Sequence, residues 1–288
     1  MLRLALAAAL LLSGCTAPHG DATTSTPFTA TTCNVRYGTA DDGDNAWPKR
    51  RELLATTLLQ VRPDILGVQE ALAFQLDFLA AKLPHHRRLG QGRDGGERGE
   101  HAALFIDTRR FEVLDHGDFW LSETPATPAS IGWDAALPRI CTWAALRELG
   151  TGRAMQVWNV HFDHRGATAR HESAKLLARR IAATVGPHVV LGDFNAGEDS
   201  APLDALRAAG LRDTFRDVAP AATAVGTFHG FRGGHRGAKI DYVLAGAGLE
   251  TADAAILDAP GPGGNWPSDH HFVTAKLMFS RSRDGQAR

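Results

Sequence analysis

The residues best suited to chemistry in this 288-residue chain are acids, amides and histidines that follow short apolar segments. The apolar segment 189–192 leads directly into Asp193 and Asn195. Such a segment is typical of a buried strand that carries polar side chains to the edge of a sheet. Because Asp and Asn also begin turns after strands, this motif alone has a common structural explanation.

Other apolar segments of the chain adjoin residues of the same kind. Carboxylate, amide and imidazole groups are those that proteins use to bind cations and to transfer protons. Because such groups recur at the ends of separate predicted strands, we expect one cleft along one edge of a sheet. The residues concerned are Asn34, Glu70, His161, Asp241, Asp269 and His270.

The segments that must position these residues alternate between strand and helix patterns. A predicted strand at 28–35 precedes a helix that begins at Trp47 and ends before Pro63, and a second strand at 65–69 precedes a helix at 74–83. This order is typical of an α/β fold. Further strands are predicted at 102–106, 111–121, 140–149, 154–161, 189–195 and 273–279, and further helices at 166–185 and 201–209.

Loops of unusual composition connect several of these elements. The segment 90–99 combines glycines with charged residues. The segment 122–138 is predicted to be a long irregular loop, and such loops are often functional. The Gly-rich segment 227–237 lies shortly before Asp241. It is either a loop that closes over an anion or a mobile, solvated loop.

The N-terminus has the pattern of an export signal. Residues 1–14 combine one early arginine with an apolar stretch too short to span a bilayer, and small residues precede Cys15. The pattern resembles the lipobox of bacterial lipoproteins, in which this cysteine is lipidated, and an ordinary signal peptide is the alternative. We expect a flexible tether at 15–27, the folded domain at 28–280 and a polar tail at 281–288.

The charge of the chain is nearly balanced, with a formal net charge of -1 at pH 7. This balance disfavours a polyanion partner but leaves room for a local basic patch. Hydrophobic residues make up 44% of the sequence, enough for a large core. Cys33 and Cys141 lie in apolar segments and are expected to be core residues, although an oxidising compartment would permit a disulfide.

Taken in order, the polar motifs resemble those of the endonuclease/exonuclease/phosphatase family, which includes deoxyribonuclease I and exonuclease III. The resemblance extends from residue 28 to about residue 279, and residues 119–125 and 139–143 resemble a bacterial subgroup of metal-dependent hydrolases. It implies a four-layer α/β sandwich of two packed, mainly antiparallel sheets flanked by helices. The matching motifs are Cys33-Asn34-Val35-Arg36, Val68-Gln69-Glu70, Asn159-Val160-His161, Gly192-Asp193-Phe194-Asn195, Ile240-Asp241-Tyr242 and Ser268-Asp269-His270.

The resemblance also implies a metal site. It makes Glu70 the principal ligand, with Asn34 and Asp269 completing or supporting the site. These residues offer oxygen atoms and no thiolate, which suits a hard cation such as Mg²⁺ or Mn²⁺ and argues against structural zinc.

The family's catalytic roles fall on further residues of the set. Asp193 would orient and deprotonate the attacking water, and Asn195 would hold the phosphate by a hydrogen bond. Asp241 is expected to pair with His270, so that a charged imidazole can stabilise the transition state.

Three more residues complete the predicted site. The resemblance implies that Glu100 pairs with His161. Arg36 and Arg139 are candidate phosphate ligands, although a surface ion pair is the more common role of an arginine.

These observations predict an exported, lipid-anchored and monomeric Mg²⁺-dependent phosphoesterase that hydrolyses a phosphomonoester or phosphodiester by in-line attack of water. A small or lipid-linked substrate is favoured, and a nuclease is the alternative. A basic groove beside Asn195 and His161 would favour the nuclease, whereas a pocket walled by residues 122–138 would favour the small substrate. A ligand-binding surface lipoprotein without catalysis is a third hypothesis, against which the complete set of acids and histidines speaks.

Overall fold

Two six-stranded sheets form the centre of the protein in the computed structural model, which describes residues 26–281. The predicted signal peptide and nearly all of the tether and polar tail lie outside the described residues. In spatial order the first sheet contains β11 (Leu249–Leu257), β12 (Phe272–Phe279), β1 (Phe28–Asn34), β2 (Ile65–Ala71), β4 (His101–Asp107) and β3 (His86–Leu89).

The second sheet has the same plan. One neighbouring pair in each sheet is parallel, β1 with β2 and β7 with β8, and the other pairs are antiparallel. The predicted arrangement of two mainly antiparallel sheets is therefore confirmed. In spatial order the second sheet contains β5 (Phe111–Trp120), β6 (Ile140–Glu148), β7 (Ala154–His161), β8 (His188–Asp193), β10 (Asp241–Ala245) and β9 (Arg212–Asp213).

Helices cover the outer faces of the sheets. Pro48 stands in the first turn of α1, and Arg62 ends that helix in the left-handed conformation just before Pro63. Within residues 26–281, no helix is both long and apolar enough to cross a membrane. The helices are α1 (Trp47–Val61), α2 (Ala73–Lys82), α3 (Ala167–Ala182), α4 (Ala201–Ala208) and α5 (Thr214–Val218).

The apolar runs of the central strands are continuous because both faces of each sheet are buried. In β8, Val189 and Leu191 face the core between the sheets, while Val190 faces the core shared with α3 and α4. In β1, Ala30 faces the core between the sheets and Cys33 faces the helix side. This alternation carries apolar residues onto both faces and leaves polar residues for the strand ends.

Some elements were not predicted from the sequence. The edge strands β3, β9 and β11 are short or partly exposed, and β11 also contains a register shift between Thr251 and Asp253. Their side chains therefore follow no clean period-two pattern. Residues 121–139 contain neither helix nor strand, in agreement with the predicted irregular loop. Cys33 and Cys141 are both buried and free.

Gly192 is a position in β8 that only glycine fits, and it offers a test of the packing between strands. Its φ is +147°, and an added Cβ would lie 2.0 Å from the carbonyl oxygen of Val160 in β7. We expect Gly192→Ala to lower the free energy of unfolding by about 3 kcal/mol, measured by urea denaturation. A Cβ added at Gly150 would have nothing within 4 Å, so Gly150→Ala should change the free energy of unfolding by less than about 0.5 kcal/mol. Equal effects of the two substitutions would contradict this description of the strand packing.

Candidate active site

The ends of five central strands meet at one edge of the sandwich. In the second sheet, Asp193 at the end of β8 lies opposite His161 of β7 and Asp241 of β10. In the first sheet, Asn34 at the end of β1 lies opposite Gln69, the neighbour of Glu70 in β2. Because β1, β2, β7 and β8 all end here and the antiparallel β10 begins here, the topology gathers polar groups that are far apart in the sequence.

The side-chain amide of Asn34 joins the two sheets at this edge. Its Nδ2 donates to Oε1 of Glu70 at 2.9 Å and to Oδ2 of Asp193 at 3.0 Å. Its Oδ1 accepts a hydrogen bond from the backbone N–H of Arg36 at 3.0 Å. Asn34 is fully buried, so these bonds satisfy an amide that has no access to water. In this structure Asn34 orients the two carboxylates, while its oxygen is engaged by the backbone.

Left-handed backbone conformations aim several of these side chains. Glu70 has a φ of 63° and lies within the register shift between β2 and β4, where the strand is free to turn its side chain. Its Oε2 accepts from the backbone N–H of Tyr37 at 2.9 Å. Asn195 has a φ of 47°, and its backbone N–H donates to Oδ1 of Asp193 at 2.9 Å. Such strain in non-glycine residues is concentrated at functional sites.

His270 carries a positive charge in this site. Its Nδ1 donates to Oδ2 of Asp241 at 2.9 Å, and both side chains are buried. Burial alone would lower the pKa of His270, but the charge of Asp241, its hydrogen bond, and the charges of Asp193 and Asp269 raise the pKa well above its ordinary value. The predicted pairing of Asp241 with His270 is present, and the resulting imidazolium places its Nε2 3.9 Å from Oδ2 of Asp193.

Asp193 occupies the centre of the cluster. Burial, followed by the charge of Asp241, raises its pKa to about 7, against the opposing effects of His270 and the hydrogen bonds from Asn195 and Asn34. A carboxylate with a pKa near neutrality is suited to accept a proton from water and to release it again.

His161 differs from His270 in charge. Its Nε2 lies 3.7 Å from Oδ2 of Asp193, and its Nδ1 lies 3.9 Å from Oε2 of Glu100. Burial and the positive charges of Arg139 and Arg93 lower the pKa of His161 well below its ordinary value, so this ring is neutral. The structure thus brings Glu100 near His161, as the resemblance implies, but the ring is neutral and the 3.9 Å separation is too long for a hydrogen bond.

Glu100 instead bonds to an arginine that the sequence analysis missed. Arg93 Nη1 donates to Oε2 of Glu100 at 2.7 Å, and burial raises the pKa of Glu100 to about 7 in spite of this cation. The only sequence signal for Arg93 was its place in the charged, Gly-rich segment 90–99. That composition gives no indication of the direction in which the side chain points.

A pocket of about 450 Å³ opens beside the cluster and is lined by the three arginines Arg36, Arg93 and Arg139. Arg36 pairs with Asp42 at 2.8 Å and lies 3.7 Å from Asp269. Arginines with partners on one side and a pocket on the other can present their remaining N–H groups to an anion.

Arg139 is the most deeply buried of these arginines. Its Nε lies 3.3 Å from Oδ2 of Asp163, and its Nη2 donates to Nδ1 of His164 at 2.8 Å. Its Nη1 is also buried but has no hydrogen-bond partner among the described residues. The Arg139 side chain lines the pocket, and a buried guanidinium N–H is costly to leave unpaired, so Arg139 is a candidate to bind an anion there.

Loops supply two further walls of the pocket. Leu137 from the irregular loop 121–139 lines one side, and Phe228 lines another. The ring of Phe228 lies 5.1 Å from the ring of His270, edge to face. Trp120 and Trp266 are buried, and Trp120 Nε1 donates to the carbonyl of Arg93 at 2.6 Å.

The sequence and the sandwich both match a known family. Residues 31–270 match the Endonuclease/Exonuclease/phosphatase family. The chain belongs to this family. Its members are hydrolases that act on phosphate esters, so the chain is a phosphoesterase- or nuclease-type hydrolase.

Solved structures from Bacteroides thetaiotaomicron are similar over most of their length. An endonuclease/exonuclease/phosphatase family protein is 32% identical with a TM-score of 0.83, and the match covers 89% of this chain and 99% of that one. A mannosyl-6-phosphatase is 32% identical with a TM-score of 0.81, covering 88% of this chain and 100% of that one.

A curated relative is more distant. The protein angel of Drosophila melanogaster is 25% identical over 171 residues, which are 56% of this chain and 47% of that protein. The chain thus spans about half the length of this relative.

The family uses divalent metals, and the cluster has the donors to hold one. Glu70, His161 and Asp193 each offer a ligand atom, and these atoms lie within 4.8 Å of one another. Asp269, the other predicted ligand, is buried beside them, and burial raises its pKa. Glu70, Asp193 and Asp269 thus supply carboxylate oxygens at one place, and these are ligands that a divalent cation prefers.

Substitution of Asp241 tests the origin of the charge on His270. Asp241→Asn keeps the shape of the side chain but removes its charge, so we expect the pKa of His270 to fall in the metal-free protein. The pKa is measured by NMR titration of the imidazole nitrogens. Asp115→Asn, an exposed site on β5, is the matched control and should leave that pKa unchanged. A His270 pKa that stays the same in the Asp241 variant would show that another group holds the proton.

Proposed function

We propose that the protein is a Mg²⁺- or Mn²⁺-dependent phosphatase whose substrate is a small, polar phosphomonoester such as a sugar phosphate. The observation that carries this proposal is the pocket of about 450 Å³ lined by Arg36, Arg93 and Arg139 beside Asp193 and His270. Its volume lies in the range of small-molecule sites. Leu137 of the long loop lines this pocket, which supports a small substrate. The three arginines also lie in one pocket with Asn195 and His161, as expected of a nuclease, so a nuclease is the second candidate.

The 32% identical mannosyl-6-phosphatase supports a sugar phosphate as the first substrate to test. A nearly balanced net charge of -1 gives no additional support to a nucleic-acid substrate. Phosphodiesters and nucleic acid are therefore included as alternative substrates in the experiment below.

The phosphoryl group would be held by donors that the structure leaves available. Asn195 uses one N–H of its amide to donate to the carbonyl of Phe162 at 3.1 Å, which leaves the second N–H for a phosphate oxygen. The imidazolium of His270 supplies a charged donor beside it. Together they would stabilise the charge that increases on the phosphoryl oxygens in the transition state.

Asp193 would act as the general base. It takes a proton from a water molecule whose oxygen attacks phosphorus, and the bond between phosphorus and the substrate oxygen breaks on the opposite side. The released alkoxide takes up a proton to become the alcohol, and the phosphate leaves. Neutral His161, 3.7 Å from Asp193, is placed to help orient the water.

A divalent cation bound by Glu70, with Asp269 and Asp193 nearby, would polarise a phosphoryl oxygen and offset charge on the leaving oxygen. The role of Asn34 would be to hold the Glu70 and Asp193 carboxylates in place for it. Mg²⁺ fits this oxygen-rich site because it prefers carboxylates and retains several waters.

The catalytic proposal is tested with the full-length protein in mild detergent. Hydrolysis is measured in Mg²⁺ and in EDTA on sugar phosphates, p-nitrophenyl phosphate, bis-p-nitrophenyl phosphate, phospholipids and plasmid DNA. We expect Mg²⁺-dependent release of phosphate from sugar phosphates, and a loss of about 10³-fold in kcat in Asp193→Asn. The exposed Asp199→Asn is the control and should retain activity. Full activity in Asp193→Asn, or a preference for DNA, would overturn the proposal.

Arg139 tests whether the pocket recognises the substrate. Arg139→Lys keeps the positive charge beside Asp163 but removes the planar guanidinium, whose Nη1 has no hydrogen-bond partner among the described residues. We expect KM for the preferred sugar phosphate to rise about tenfold with little change in kcat. Arg109→Lys alters a mostly exposed arginine and should change neither constant. A fall in kcat without a rise in KM would assign Arg139 to catalysis instead.

We also propose that the protein is exported and anchored by a lipid on Cys15. The signal peptide and Cys15 lie outside the described residues, so this proposal is based on the sequence pattern alone. A mature chain that begins at a lipidated cysteine would fractionate with membranes. Cys15→Ala is expected to move the protein to the soluble or unprocessed fraction and to abolish palmitate labelling. Labelling that persists in this variant would contradict the lipobox hypothesis.

A further inference from the structure

A second group of metal-binding side chains lies outside the active site. His235 belongs to the Gly-rich segment 227–237, Asp258 directly follows β11, and His271 directly precedes β12. Each offers a ligand atom, and the three atoms lie within 4.8 Å of one another. None of the three lines the pocket described above.

Backbone carbonyls fix the tautomers of both histidines. His271 Nε2 donates to the carbonyl of Gly234 at 2.9 Å, which leaves Nδ1 with a free lone pair in the neutral ring. His235 Nδ1 donates to the carbonyl of Gly226 at 3.2 Å, which leaves Nε2 free in the same way. Histidines that bind metals usually donate their other ring N–H to a carbonyl or carboxylate.

The free nitrogen of His271 is the observation that points to a ligand. His271 is 2% exposed, and its Nδ1 is buried without a hydrogen-bond partner among the described residues. Buried polar atoms nearly always have a partner, and a cation shared with the nearby Asp258 carboxylate would supply one for His271. Asp258 supplies that carboxylate and is itself exposed, which gives an ion a route from solvent.

Ring stacking explains only part of this arrangement. The His271 ring lies 4.4 Å from the His235 ring and 4.2 Å from the His229 ring, centroid to centroid, with interplanar angles of 33° and 34°. Stacking holds the rings together but leaves Nδ1 of His271 unbonded. His229 is not a third imidazole ligand, because its Nδ1 accepts from the backbone N–H of Gly233 at 3.2 Å and its Nε2 carries the proton.

We propose that His235, Asp258 and His271 form a second metal site, separate from the catalytic one, that binds Zn²⁺ or a similar divalent ion. Two imidazoles and one carboxylate form a donor set that zinc accepts, with water as the fourth ligand. The oxygen-rich catalytic cluster suits a harder ion, so the two sites differ in the metal that they prefer.

The ion would fasten a wall of the substrate pocket. The backbone of the segment 227–237 is tied near its start, where His271 N–H donates to the Thr227 carbonyl at 2.7 Å and His229 N–H donates to the Asp269 carbonyl at 2.8 Å. His235 lies near the other end of this segment, where the hydrogen bond from His271 to the Gly234 carbonyl already holds the loop. An ion shared by His235, Asp258 and His271 would reinforce that attachment. Phe228, which lies against His270, is carried by the same loop.

The test uses full-length protein in mild detergent with Glu70→Gln as the background, because that substitution weakens the catalytic metal site. After removal of metals, the protein is dialysed against Zn²⁺, its zinc content is measured, and thermal unfolding is followed with and without Zn²⁺. We expect about one equivalent of zinc per chain. We also expect a rise in Tm of about 5 °C at saturating Zn²⁺.

Substitutions in the same background identify the ligands. Asp258→Ala and His235→Gln alter exposed or half-exposed side chains, so they should fold while binding Zn²⁺ at least about tenfold more weakly and losing the Tm shift. His85→Ala changes an exposed histidine elsewhere and should retain both. Failure of the Glu70→Gln protein to bind zinc would overturn the proposal. The proposal would also be overturned if the Asp258→Ala and His235→Gln variants bound zinc as tightly as the Glu70→Gln background does. Neither result would bear on phosphatase activity.

Discussion

A buried amide, that of Asn34, holds the reactive ends of the two sheets together. One sheet brings Glu70 and the other brings Asp193, and a single Nδ2 donates to both carboxylates. Two carboxylates held at the same donor repel each other, and the amide offsets this repulsion; a bound cation would offset it further. The register that places Asn34 beside Gln69 and Asp193 beside His161 is therefore also what fixes the geometry of the site.

Two buried histidines beside the same carboxylate have opposite charge states, and their neighbours decide which is charged. His270 has Asp241 at hydrogen-bond distance and is cationic, whereas His161 has Arg139 and Arg93 nearby and is neutral. The site thus contains one charged donor on the side of Asp241 and one neutral ring on the side of the arginine-lined pocket. In the proposed mechanism, the pocket arginines and His270 would supply positive charge for binding a phosphate, and Asp193 would carry out proton transfer.

The sequence predicts the strand-end residues because their strands are central and buried, so their apolar runs are continuous and end abruptly. Asp193 and Asn34 were found in that way. Arg93 and Phe228 were missed because loops carry them, and a loop has no periodicity from which a side chain's direction can be inferred. The family resemblance gave Glu100 as the partner of His161, but Arg93 takes the closer position. The charge of His270 was predicted from its pairing with Asp241, whereas the neutral state of His161 was not, because burial and the nearby Arg139 and Arg93 set it only after folding.

The central claim is that a divalent cation and a phosphate meet between Glu70 and His270. Crystals grown with Mn²⁺ and inorganic phosphate test it directly through the anomalous difference map. The account predicts a manganese peak bonded to the Glu70 carboxylate, with a phosphate that accepts hydrogen bonds from Asn195 and His270. A map from saturated crystals without a peak at Glu70, or with the phosphate bound away from Asn195 and His270, would contradict it.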